Sequence, residues 1–268
     1  MPERKQKRIP SLNPLWFLLG LFLCLILWEA IAFGTGQKFL PEFFQCLAQM
    51  NVHLGEKATW VALGWSLLRV LISLAVSGIL GIVLGLLAGY YPVIGKILAP
   101  LMTILRSFPT IALILLLAVY VPHFGLYVTG VVLFPVLYEA TYEGAMKTYQ
   151  QYEYDLLLKG KNHLSNITKI ILPLSSSYIL LGFMQAMGLG IKVEIMSETF
   201  AYSSTYQGLG KTIYMYYQNV EYKEMMSYVL LAVLVSLILD GILLGVQRKV
   251  EKETGVTREE SRRFWLGF

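Results

Sequence analysis

Charge is scarce in this chain. Only 15% of its 268 residues are Asp, Glu, Lys or Arg, while 56% are apolar. An ordinary soluble domain carries about 25% charged residues, so that class is excluded. A long polar region is also missing, which leaves no room for a second, soluble domain. Cysteine is nearly absent: Cys24 and Cys46 form neither a disulfide framework nor a metal-binding spacing. His53, His123 and His163 are too scattered for a metal site. No Gly-x-x-x-x-Gly-Lys-Ser/Thr phosphate loop occurs, so ATP hydrolysis does not belong to this chain. No Ser/His/Asp set can be assembled either. Catalysis and a bound cofactor are therefore not expected here.

Long apolar runs take up most of the remainder. Stretches of about 20 apolar residues fit a hydrocarbon core about 30 Å thick. The pattern predicts an all-α, polytopic membrane protein with about six transmembrane helices, near 14–34, 58–90, 97–121, 124–146, 170–200 and 225–248. The first run, Leu15 to Phe33, is long and lacks a small-residue cleavage site, so it reads as a helix and not as a removable leader. The chain divides into 1–57 (basic tail, first helix and outer loop), a core 58–248 and a charged tail 249–268. The loop 35–57 has room for a short amphipathic surface helix.

Basic residues set the orientation. With the N-terminus inside, fifteen Lys and Arg fall on the cytoplasmic side and four outside: Lys38, Lys57, Lys211 and Lys223. The positive-inside rule then predicts a plasma-membrane protein with both termini in the cytoplasm. The polar loop 147–169 falls on the same side. It reads Tyr154-Asp155-Leu156-x-x-x-Gly160-Lys161 and closes with Ile170-x-Leu172-Pro173. A hydrophilic helix-turn-helix on a membrane bundle is a docking element for a soluble motor. Gly160 permits a sharp turn, and Pro173 can start or kink the next helix. In the second helix, Gly78, Gly81, Gly85 and Gly89 recur every three or four positions, a pattern for close helix packing in lipid.

Several short motifs follow one another in a fixed order. They are Ser66-x-x-Arg69, Arg106-Ser107-Phe108-Pro109, Thr141-x-x-Gly144, the loop Gly160, Ile170-x-Leu172-Pro173, Gly182, Glu198 and Gly208-Leu209-Gly210. Over residues 58–248 this order and spacing resemble the permease subunits of type I bacterial ABC importers. The nearest branch is the one for nitrate, sulfonates, taurine and thiamine pyrimidine precursors. Three departures stand out. Tyr154-Asp155-Leu156 replaces a Glu-Ala-Ala triplet, Ser177 replaces a proline, and about three extra residues separate Glu198 from the Gly-Leu-Gly.

The resemblance implies a homodimer whose two copies enclose a pathway. It implies a separate ATPase dimer that carries ATP and Mg, and an extracytoplasmic solute-binding protein. Tyr154, Asp155, Leu156, Gly160, Lys161, Ile170, Leu172 and Pro173 would then couple to the ATPase. By family analogy the solute is a small anion such as a sulfonate or nitrate, with a heterocyclic vitamin precursor as the alternative. The rival class is a motor-independent secondary transporter or channel. It would call for inverted repeats or paired broken helices, and the sequence displays neither.

Charges inside the spans must face one another, water or a solute. Arg69, Arg106, Glu139, Glu143, Lys192 and Glu198 are the pathway candidates, and Glu194 and Asp240 also lie within spans. Arg69, Arg106 and Glu198 match family positions, for which a scaffold role is favoured over solute contact. Glu139 and Glu143 share a helix face and repel unless one is protonated or a cation is near. Glu143 can also sit at headgroup level. Lys192 has no partner on its own helix, so it pairs with a carboxylate elsewhere or lines the pathway. Tyr206, Tyr214, Tyr216 and Tyr217 read as interfacial belt residues.

Overall fold

In a computed structural model of the chain, residues 14–36, 40–158, 164–201 and 206–254 are described. Among them every regular element is helical: α1 (Pro14–Gly34), α2 (Phe43–Leu54), α3 (Lys57–Tyr90), α4 (Pro92–Ser107), α5 (Thr110–Tyr120), α6 (Phe124–Gln151), α7 (Glu153–Leu158), α8 (Leu164–Asn166), a π-helical turn (Ile167–Ile171), α9 (Leu172–Leu174), α10 (Ser176–Glu198), α11 (Leu209–Gln218) and α12 (Tyr222–Thr254). Helices α3, α6, α10 and α12 are each long and apolar enough to cross a membrane. Helix α1 is a shorter apolar helix with mostly exposed side chains.

The single span expected at 97–121 is corrected. It is two helices, α4 and α5, bent by 86°. Pro109 explains the break. It has no amide to donate to the preceding turn, and it forces Phe108 out of the helical region to φ −72°, ψ 126°. The span expected at 170–200 also starts later. Ile167–Ile171 is wound as a π-turn, and α10 proper begins at Ser176. The surface helix expected within 35–57 is α2, which buries Cys46, Met50 and His53 at i, i+4 and i+7.

Helices α3 and α6 form the spine. A Cβ on Gly81 would stand 2.9 Å from Leu137 Cβ, on Gly85 2.7 Å from Thr141 Cβ, and on Gly89 2.5 Å from Ala145 Cβ. Three glycines four apart thus receive three side chains four apart. Lipid tails are as apolar as the helices, so contact of this closeness supplies the cohesion that hydrophobic burial gives in water. Gly182 brings α10 against Ala140 of α6 in the same way. Val70, Leu74, Leu133, Leu137, Ala186, Met187 and Ile191 fill the centre between α3, α6 and α10. At one end of the bundle, α2 and α11 cover Ala62, Leu63, Tyr228 and Leu231. The other end carries α7 and the π-turn.

Candidate functional site

Arg69 enters the bundle from α3. Glu194 and Glu198 are one turn apart on α10 and therefore face it together. Arg69 Nε donates to Glu194 Oε1 at 2.8 Å, and Nη2 donates to Glu198 Oε1 at 2.5 Å and to the Gln207 carbonyl at 2.5 Å. Thr129 of α6 donates to the second oxygen of Glu194 at 2.8 Å. Ser66 donates to Glu198 at 2.7 Å and accepts the Leu209 amide at 2.9 Å, while the Gly210 amide reaches Glu198 Oε2 at 2.8 Å. The Tyr206 ring lies 4.4 Å from the guanidinium carbon, in cation–π range.

The Gly-Leu-Gly motif has a steric reason here. A Cβ on Gly208 would stand 2.3 Å from the Glu198 carboxyl carbon, and one on Gly210 would stand 2.0 Å from the Ile195 carbonyl oxygen. Only glycine lets the chain pass so close to α10. Arg69, Glu194 and Glu198 are all buried. Their hydrogen bonds fasten α3, α6, α10 and the segment leading into α11 to one another.

Arg69 and Glu198 are among the pathway candidates of the sequence, with a scaffold role favoured. Both are buried within the protomer and bonded across α3, α10 and the start of α11, an arrangement that fits a scaffold. Glu194 was not set against Arg69 from sequence, although its one-turn spacing from Glu198 was the available signal. Tyr206 was taken for a belt residue, but it is buried against Arg69. Burial and the neighbouring Glu194 push its phenol above the usual range.

Arg106 sits differently. It donates through Nη1 to Glu139 Oε2, and the two side chains are 45% and 42% exposed. They border a recess of 450 Å³ between α4 and α6, lined also by Thr103, Ser107, Tyr138 and Tyr142. Glu139 lies near the middle of the 28-residue α6, a helix long enough to cross a membrane. A charge facing hydrocarbon there costs about 2.5–3.5 kcal/mol. This face of the protomer must therefore meet water or another polypeptide. Glu143 pairs with Lys147 at 3.7 Å, and Lys147 also lies 4.9 Å from the Tyr178 ring centroid. Each of the two glutamates thus has its own cation, which relieves the repulsion expected between them. Lys192 is exposed on α10, and no carboxylate among the described residues pairs with it.

At the opposite end, Tyr154 of α7 is 75% exposed, and Asp155 and Pro173 are exposed too. Leu156 is only 1% exposed, packed with Leu86, Tyr90, Ala145, Ile167 and Ile171. It packs α7 onto the bundle, while Tyr154 and Asp155 beside it are open. Ile170 and Leu172 pack against the same cluster. Gly160 and Lys161 lie outside the described residues. No group of three His, Cys, Asp or Glu side chains converges on a metal position among the described residues.

Apolar helices long enough to span, tied together by an inner ionic clasp, define a membrane-embedded helical bundle. Residues 81–255 match the binding-protein-dependent transport system inner membrane component family, and the chain belongs to it. No curated protein matches. Two crystal forms of the MetNI methionine ABC transporter in inward-facing conformations share the fold. The CY5 selenomethionine soak form aligns with a TM-score of 0.57 at 16% identity, over 69% of this chain and 96% of that one. The CY5 native form aligns at 0.56 and 17%, over 73% and 99%. Family and fold together put the chain among the ABC importer permeases.

Proposed function

We infer that two copies of this chain enclose the pathway of an ATP-driven importer. A small solute arrives from a binding protein at the α2/α11 end, and a separate ATPase dimer holding ATP and Mg docks at the α7 end. The basic asymmetry of the loops puts both chain termini and α7 in the cytoplasm of a cell whose plasma membrane holds the protein. ATP-driven closure of the motor subunits would move α7 and, through Leu156, the α3–α6 spine. Arg106, Glu139, Glu143 and Lys192 remain the charged candidates along the pathway. Family analogy favours a small anion such as a sulfonate or nitrate, ahead of a heterocyclic vitamin precursor.

One observation carries this reading. The Arg106–Glu139 pair stands half-exposed against the middle of α6, a helix long enough to cross the membrane, where lipid would be the alternative neighbour. A water-filled pathway at an interface between copies gives it a place. Mild-detergent purification of the tagged chain from its native host tests the proposal. An ATPase with a phosphate loop is expected to copurify in equal number, with hydrolysis stimulated by the binding protein. A chain that purifies without an ATPase and still transports defeats the reading and restores the secondary-transporter class.

A further inference from the structure

We propose that the recess between α4 and α6 is a solute subsite for a small zwitterion, a molecule bearing an acid group and an ammonium, with Arg106 taking the acid and Glu139 the ammonium. The proposal rests on the transport reading above and narrows its solute. Arg106 and Glu139 lie on facing helices and are bonded to each other. Both stay about half open to the recess, so neither charge is used up in the interior as Arg69 is. A solute can replace one partner without unpacking the bundle.

The balance of charge selects the solute class. An anion drawn to Arg106 also approaches Glu139, and a cation drawn to Glu139 meets Arg106. Either one would leave one member of the pair unmatched in a partly desolvated recess. A solute carrying both charges opens the pair and matches both ends. The family preference for a simple anion accounts for only one of these two side chains.

The walls fit a short linker between the charges. Tyr138 and Tyr142 lie one turn apart with their rings stacked, 1° between planes and 5.9 Å between centroids, and both line the recess. Gly95 clears room for the second ring, since a Cβ there would stand 3.2 Å from Tyr142 Cε2. The volume of 450 Å³ suits a small molecule and its water.

A cysteine at position 103 on the recess wall provides the test. Thr103→Cys is placed in a chain with Cys24→Ser and Cys46→Ser, purified with its ATPase in nanodiscs and labelled with sulfonatoethyl methanethiosulfonate. β-Alanine, propionate and propylamine at equal high concentration serve as protecting probes. β-Alanine is expected to slow labelling several-fold more than either single-charge probe. Glu139→Gln should transfer protection to propionate, and Arg106→Gln should transfer it to propylamine, a switch that a purely structural pair would not produce. Equal protection by propionate and β-alanine overturns the proposal, as does protection by none of the three. If protection fails while the ATPase still copurifies, only the subsite falls. A chain that lacks the ATPase and still transports defeats the importer reading itself.

Discussion

A methyl group on Gly89 would stand 2.5 Å from the Cβ of Ala145 and 2.9 Å from the amide nitrogen of Met146. The second of these is backbone and does not yield by rotating a side chain. Gly89→Val should therefore push α3 from α6 and destabilise the fold by about 1–3 kcal/mol. Gly64, on the same helix, has nothing within 4 Å of its added Cβ, so Gly64→Ala should be near neutral. Thermal melts in detergent compare the two; equal midpoints would contradict the packing account.

Removing Arg69 strands two buried carboxylates. Arg69→Met should cost about 3–5 kcal/mol and lower the yield of folded protein. Adding Glu194→Gln and Glu198→Gln to it should recover much of that loss, because the uncompensated charges go with them. Size-exclusion profiles of fluorescent fusions report both. A triple variant no better than Arg69→Met would show that the clasp matters for its shape alone.

Leu156 and Tyr154 should separate cleanly. Leu156→Asp buries a charge among Leu86, Tyr90 and Ile171, so it should destabilise the α7 end even in the isolated permease. Tyr154→Ala removes an exposed ring and should leave the melt unchanged while weakening ATPase stimulation. Hydrogen exchange on the permease alone, paired with hydrolysis rates of the complex, distinguishes them. Stimulation unaffected by Tyr154→Ala would move the docking surface elsewhere.

Val220 has φ 63°, the left-handed region that β-branched residues avoid. It is exposed and joins α11 to α12. Val220→Gly should relieve that strain and raise stability by about 1 kcal/mol. A melt midpoint that falls would show that the isopropyl group makes a contact worth more than the strain.

Much of the architecture was legible before any coordinates. Apolar runs mark the spans because lipid tolerates little else, Arg69 and Glu198 stood out as charges within them, and Gly208 and Gly210 were picked out by the family resemblance. The break at Pro109 was harder to see, since the apolar runs on either side of Arg106-Ser107-Phe108-Pro109 together have the length of one span. Glu194 needed the position of Arg69, which is 125 residues away along the chain. Leu156 illustrates the same limit from the other side. A leucine in a polar loop reads equally as a bait for a partner or as an anchor, and only distant Leu86 and Tyr90 decide which.

Helix α3 is 34 residues long, about 50 Å at 1.5 Å per residue, while the hydrocarbon slab is about 30 Å. The surplus is taken up by tilt or by ends standing in the headgroups. Trp60 and Trp65, both exposed near one end, are of the type that anchors a helix at the interface. Gly81, Gly85 and Gly89 bind α3 to α6, so the two helices lean as one body. A thicker bilayer would stand both upright, and the Glu139 wall of the recess would turn with them. Lipid length thereby becomes a mechanical input to the side of the protomer where the charge pair lies open.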